Sequence, residues 1–167
     1  MIIISDTNIL SSFAAGDALS LLNQLYRHAG FAIPPSVQQE LEAGFRRGKT
    51  HLASVLNAVQ SRQISVMSLS AEEELLTFNY PAGLDEGERE AIALAQTRKA
   101  LLLSNDGKAI RYCQQRKMNV ASLEILLRLL WETGVMSPDD VRALIAKMGQ
   151  VEKLSLTSDQ LTKIFTP

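Results

Sequence analysis

The sequence predicts an α/β protein, a three-layer α/β/α arrangement around a central, mostly parallel five-stranded sheet. Three observations carry this expectation. The runs Ile2-Ile3-Ile4 and Leu101-Leu102-Leu103 are short, continuous and apolar, which suits strands buried on both faces rather than strands with one wet face. Segments with helical spacing of apolar residues separate such runs along the chain, the pattern of β-α units that pair in parallel. A length of 167 residues suits one domain, or one domain with a small appendage.

Taken in order, Ile2-Ile3-Ile4 ends at Asp6-Thr7-Asn8, and a helix over Ile9 to Phe13 follows. A second helix runs from Asp17 to about His28, with Leu19, Leu22, Leu25 and Tyr26 at helical spacing, and Gly30 stops it. Phe31-Ala32-Ile33 reads as the second strand, closed by Pro34-Pro35. Ser36 is the expected N-cap of the next helix, with Gln39 as its capping-box partner and an end near Arg46; another helix covers Thr50 to Ser61. Ile64 to Met67 makes a third strand, and Ser70 caps a short helix to about Phe78. A loop over Asn79 to Gly83 leads to a long helix from Glu86 to Lys99, then to the strand Leu101 to Leu103. A helix from Lys108 to Arg116 precedes a fifth strand at Asn119-Val120-Ala121. Helices over Leu123–Glu132 and Pro138–Met148 come next, the latter capped by Ser137, and the tail from Thr157 to Phe165 holds one or two further helical turns.

Composition narrows the function classes. Seventeen Lys and Arg against eighteen Asp and Glu give a formal charge of −1, which excludes a polycation holding nucleic acid by charge excess alone. Hydrophobic residues at 46% and charged residues at 21% exclude wholesale disorder. Cys113 is the single cysteine, so no intramolecular disulfide forms, and a reducing, cytoplasmic setting is expected. The apolar start breaks off at Ser5-Asp6, too short for a signal peptide, and no run reaches the roughly 18 apolar residues of a membrane span. The expectation is a soluble protein without a membrane partner.

In a parallel sheet, ligands gather at the carboxyl ends of the strands, where strand order reverses. Asp6 follows the first strand and Asp106 the fourth, so both project from one sheet edge. Glu40 lies in the helix after the second strand, within about 60° of Val37 around the helix axis, and so borders the apolar stripe. Glu88 sits on the narrow stripe of Ala91, Ile92 and Ala95, whereas Arg89 and Glu90 point away from it. An inward-facing carboxylate is costly unless compensated, and several together resist ionisation. A basic side chain is one remedy; a hard divalent cation with a taste for oxygen, Mg²⁺ or Mn²⁺, is another. The chemistry that matches the second remedy is metal-assisted phosphoryl transfer.

These residues resemble the PIN-domain nucleases, whose members include VapC-type toxin ribonucleases. The resemblance rests on Ile3-Ile4-Ser5-Asp6-Thr7-Asn8, Val37-Gln38-Gln39-Glu40-Leu41, Gly87 through Ala95, and Leu101-Leu102-Leu103-Ser104-Asn105-Asp106, in that order. It spans about residues 1–135, a PIN-like nuclease domain, and leaves 136–167 as a C-terminal helical extension packed on the same domain. What it implies is a metal-dependent endoribonuclease that hydrolyses RNA phosphodiester bonds, the toxin of a toxin–antitoxin pair. The implied catalytic and metal-binding acids are Asp6, Glu40, Glu88 and Asp106, with Thr7, Asn8, Ser104 and Asn105 in support. The implied cofactor is Mg²⁺ or Mn²⁺, and the implied partners are RNA, a small antitoxin protein and a second copy in a homo-oligomer, a dimer. Two departures stand out: Glu88 replaces the Asp of many toxin members, and strand four ends in Ser-Asn-Asp where close relatives often place two adjacent acids.

Other residues read more plainly. Asp6 and Asp106 also suit helix caps, and Asp85 and Glu86 suit the first turn of a helix and nothing more. Glu72, Glu73, Glu74, Asp139 and Asp140 read as solvated first-turn acids. His28 and His51 lack a partner at ligand spacing and read as surface or helix-end residues, while Cys113 and Trp131 read as packing. Arg46, Arg47 and Lys49 form one basic cluster, and Lys108, Arg111, Arg116 and Lys117 another; Arg46, Arg47, Lys49, Lys108 and Arg111 are the candidates for RNA backbone contacts. A receiver domain lacks its Asp after the third strand, and a haloacid-dehalogenase-type phosphatase lacks its second Asp, since Asn8 stands there. No glycine-rich nucleotide loop is present. The remaining rival is a catalytically inactive PIN-like module that binds RNA or protein.

Overall fold

The computed structural model describes residues 1–166. The sheet contains β1 (Ile2–Ser5), β2 (Gly30–Ile33), β3 (Ile64–Val66), β4 (Leu101–Leu103) and β5 (Val120–Ala121). Their order is β3-β2-β1-β4-β5, and every pairing is parallel, so the sheet is wholly rather than mostly parallel. The helices are α1 (Thr7–Ala15), α2 (Leu19–Leu25), α3 (Pro35–Arg46), α4 (Ala53–Gln60), α5 (Ala71–Thr77), α6 (Glu86–Arg98), α7 (Gly107–Gln115), α8 (Leu123–Glu132), α9 (Pro138–Glu152) and α10 (Ser158–Phe165). A 3-10 turn over Thr50–Leu52 leads into α4.

The three layers follow from strand periodicity. Ile3, Phe31, Ile33 and Leu103 face a core shared with Leu10, Phe13, Val37, Leu126 and Leu130, while Ile4, Ala32 and Leu102 face Ala91, Ile92, Ala95 and Cys113. Each Ile, Leu, Val or Phe side chain among them stabilises the fold by about 1.5–3 kcal/mol on full burial. The small residues of α6 allow that helix to lie close on the sheet, which sets the depth of its first turn at the strand ends. Val141, Leu144, Met148 and Ile164, from α9 and α10, belong to the same core as β1 and α1. Trp131 packs as expected and donates its indole N–H to the Ile164 carbonyl at 2.8 Å.

Two local expectations fail for physical reasons. Helix α3 begins one residue earlier than Ser36, at Pro35 with Pro34 at the N-cap, because proline's fixed φ suits the first turn. The Ser36 amide instead donates to the Glu90 carboxylate of α6 at 2.9 Å, so a side chain from a neighbouring helix fills the capping role. Glu73 is not solvated. It is 3% exposed and takes Nε of Arg98 at 2.9 Å and Nη2 at 3.0 Å, with the Thr97 hydroxyl and the Ser70 amide as further donors. These donors hold its carboxyl down at about 2, the Arg98 guanidinium first among them.

The sheet order places the reversal of strand order between β1 and β4. Chain connections after β1 run to one side through β2 and β3, and β4 returns to the other side of β1. The carboxyl ends of β1 and β4 therefore flank the crevice in which doubly wound folds bind ligands.

Candidate active site

Asp6 is the residue immediately after β1 and the N-cap of α1. Its backbone amide donates to the Leu103 carbonyl at 3.0 Å, extending the β1–β4 pairing and fixing the side chain at the crevice. Oδ1 accepts the Ile9 amide at 2.9 Å and Oδ2 the Asn105 amide at 3.2 Å. Ser104, 1% exposed, lies beside the same carboxylate, where its hydroxyl lowers the Asp6 pKa, and that hydroxyl accepts the Asp106 amide at 3.2 Å. The capping role and a role at the site thus coexist in one residue. Despite those donors Asp6 is 3% exposed, and burial pushes its carboxyl up to about 6, with nearby Asp85 adding to the rise.

Asp6, Thr7, Asn8, Val37, Glu40, Asp85, Gly87 and Glu88 line one small cavity of about 60 Å³. Glu40 enters from the second turn of α3, and the Thr7 hydroxyl donates to its carboxylate. Its pKa is raised, chiefly by burial, and Asp85 and Glu90 add repulsion. Glu88 enters from the first turn of α6, where it completes a capping box: Oε2 accepts the Asp85 amide at 2.9 Å, and Asp85 Oδ1 accepts the Glu88 amide at 2.8 Å. Its carboxyl is pushed up to about 7, first by burial and then by Asp85, Asp106 and Asp6.

Gly87 explains how the two helices come so close. A Cβ there would lie 2.6 Å from Oε1 of Glu40 and 3.1 Å from Cγ2 of Val37, so the missing side chain makes room for the Glu40 carboxylate.

Asp106 stands at the rim. It caps α7, with one oxygen accepting the Lys108 and Ala109 amides, both at 2.8 Å, and it reaches the cavity through its repulsion of Glu88. Of the four acids expected from sequence, three share the cavity and the fourth borders it. Thr7, Ser104 and Asn105 all bond to acids or their backbone, and Asn8 lines the cavity wall.

Sequence reasoning missed Asp85, read as a first-turn acid alone. It lines the cavity and raises the pKa of Asp6, Glu40 and Glu88. The signal was legible in Asp85-x-x-Glu88, a capping-box spacing that couples the two carboxylates. His51 is also less isolated than its sequence neighbours imply, with Nε2 at 3.0 Å from the Ser11 hydroxyl and 3.2 Å from Glu152. Among the candidate backbone-contact residues, Arg46, Arg47 and Lys49 are exposed around the end of α3, and Lys108 and Arg111 project from α7.

Among the described residues, Asp6, Glu40, Asp85, Glu88 and Asp106 form no ion pair with any Lys, Arg or His. Their donor set is all oxygen, which suits a hard cation. No three acid, histidine or cysteine side chains among the described residues stand grouped around a point that an ion would fill. The reason is visible in the hydrogen bonds: Glu40 is turned to Thr7 and Glu88 to the Asp85 amide, so both would exchange a local donor for a cation. The donor chemistry fits a divalent ion at this cavity, with two of its carboxylates held in local hydrogen bonds.

Comparison with known proteins gives a family match and a likeness to solved structures. A family model described as "DUF3368: PIN domain" matches residues 2–166. The fold is similar to a chain in the crystal structure of VapBC2 from Rickettsia felis bound to a DNA fragment from their promoter. That likeness has a TM-score of 0.55 and 19% sequence identity, and covers 73% of this chain and 98% of the other. No curated protein matches the sequence.

Proposed function

The chain belongs to the PIN-domain family, a nuclease family, and on that premise we propose that it is a divalent-metal-dependent endoribonuclease hydrolysing RNA phosphodiester bonds. The observation that carries this reading is a buried aspartate and two half-buried glutamates on one cavity with no basic partner among the described residues. A structural carboxylate at that depth would be paired. Asp6, Glu40 and Glu88, with Asp106 at the rim, are the residues that would hold Mg²⁺ or Mn²⁺. When bound, such a cation supplies the positive charge that offsets their repulsion and favours attack on a phosphodiester.

The chain's own contribution is placement. The Ile9 and Asn105 amides fix Asp6 at the strand end, Thr7 orients Glu40, and the first turn of α6 aims Glu88. We further propose that the protein acts as the toxin of a toxin–antitoxin pair in the cytoplasm, as a homodimer held in check by a small antitoxin protein. The name of the Rickettsia complex motivates that part of the reading. No helix among the described residues is long and apolar enough to cross a membrane.

Cleavage of mixed RNA and single-stranded DNA in Mg²⁺, Mn²⁺ or EDTA tests the proposal, with Asp6→Asn and Asp106→Asn run in parallel. The expected result is RNA cutting that needs the cation and fails in Asp6→Asn. Cutting in EDTA, or full activity in both variants, would remove the mechanism. A protein that binds RNA without cutting it under any condition would be the inactive module.

A further inference from the structure

A polymer whose scissile phosphate lies at an acidic cavity must have its neighbouring phosphates held by cationic groups beside it, because the acids themselves repel the backbone. Next to the cavity is a groove of about 360 Å³ lined by Asn8, Lys49, His51, Val151, Glu152 and Lys153. Asn8 lines both hollows, so the two are continuous through one residue at the start of α1. The groove is built from three distant segments: the start of α1, the turn leading into Thr50–Leu52, and the end of α9.

Its charge is arranged for an anion. Lys49 and Lys153 are exposed, and neither forms an ion pair among the described residues. The one acid of the groove, Glu152, is engaged from the protein side by the Ser11 hydroxyl, by the Ser12 hydroxyl at 2.9 Å and by His51 Nε2 at 3.2 Å. That network ties the end of α9 to α1 and to the turn carrying Lys49, and so holds the two lysines on the same groove. Both histidine contacts use Nε2, which leaves no acid on the other ring nitrogen and excludes a serine-hydrolase reading of Ser11 and His51. By contrast Lys108, on the other flank, is drawn toward the Gly83 carbonyl at 3.5 Å.

We propose that this groove is a phosphate-binding subsite for single-stranded RNA, in which Lys49 and Lys153 hold a backbone phosphate flanking the scissile bond and Asn8 bridges to the acidic cavity. The inference rests on the ribonuclease reading. It gives the C-terminal helix α9 a part in substrate binding and adds Lys153, which sequence reasoning passed over. It selects Lys49 among the candidate cations of its cluster.

The test measures binding of a fluorescein-labelled ten-nucleotide oligouridylate by anisotropy across a salt series, in EDTA so that no cutting occurs, and cleavage of the same RNA in Mn²⁺. Lys49→Ala/Lys153→Ala is compared with the parent and with Lys163→Ala, an exposed lysine on α10. The expected result is roughly tenfold weaker binding, a salt slope smaller by about 0.7, and a raised KM with kcat retained, because about 0.7 of slope goes with each single-strand phosphate neutralised. Lys163→Ala should match the parent. A double variant that binds and cuts like the parent overturns the subsite while leaving the nuclease intact. A parent that neither binds nor cuts RNA overturns both, and lysine-dependent binding by a parent that never cuts supports the groove and overturns the nuclease.

Discussion

Asp6 and Glu73 are each 3% exposed, Asp6 deep at the strand end and Glu73 beneath the exposed Arg98 side chain, and their carboxyls move in opposite directions. Glu73 meets a bidentate guanidinium from Arg98 and falls to about 2. Asp6 meets amides, a hydroxyl and other acids, and rises to about 6. The first joins α5 to the end of α6 and is a finished structural contact. The second is unfinished, because nothing within the described residues carries the charge it lacks. Burial alone therefore does not mark a functional carboxylate; the role proposed for Asp6 rests on burial without a basic partner.

Breaking the unfinished half should cost activity rather than the fold. Asp6→Asn keeps an N-cap oxygen and should lower RNA cleavage by roughly 10²–10³-fold, the order seen when one preorganised electrostatic group is lost. Its circular dichroism spectrum should match the parent's, and cleavage within a factor of two of the parent's would contradict the assignment.

Breaking the finished half should do the reverse. Arg98→Ala removes the guanidinium from Glu73 and should destabilise the protein by about 1 kcal/mol in urea unfolding, because the exposed Arg98 side chain lets water replace it. The double variant Glu73→Gln/Arg98→Met should recover much of that loss.

The two carboxylates also predict opposite pH dependences. Asp6 binds its proton more tightly in the folded state, at about 6 against an ordinary 3.8. Its cost is therefore fully present above pH 6, about 3 kcal/mol, and disappears as pH falls toward 4. Glu73 binds its proton less tightly when folded, so its stabilisation is present above about 4.5 and is lost as pH falls toward 2. Thermal melts without divalent cation should rise from pH 7 to 5 and fall below pH 4. Asp6→Asn should shrink the first limb, leaving the part that Glu88 contributes, and Arg98→Ala should flatten the second.

A last effect concerns spacing. Gly87→Ala pushes a methyl against the end of the flexible Glu40 side chain and against the buried Val37, so stability should fall by about 1 kcal/mol. Displacing that carboxylate should still lower kcat by about tenfold, since sub-ångström placement matters at a reacting centre. An unchanged kcat would show that Glu40 is not held in the position it needs.

Much of this was legible in the chain. Ile2-Ile3-Ile4 and Leu101-Leu102-Leu103 announce buried parallel strands, and the residues that follow them, Asp6 and Asp106, fall at the reversal point between β1 and β4. Glu40 and Glu88 were readable from helical phase. What escaped depends on residues far apart in sequence. Glu73 finds Arg98 twenty-five positions away, and His51 finds Ser11 and Glu152 at separations of 40 and 101. Ser36 lost its capping role to Glu90, fifty-four positions on. Local periodicity carries no information about such pairs. Asp85 escaped for a different reason: its capping role was visible, and the cavity behind it was not.

The cavity acids have no basic partner among the described residues and are expected to take up a divalent cation, which calorimetric titration with Mn²⁺ at pH 6, in two buffers of different ionisation enthalpy, measures. With Asp6 at about 6 and Glu88 at about 7, both are partly protonated at that pH, and a cation must displace those protons. The expected result is saturable binding that releases on the order of one proton, falls to nearly none at pH 8.5 and is lost in Asp6→Asn. Binding with no proton release at pH 6, or binding of equal strength in Asp6→Asn, would contradict it.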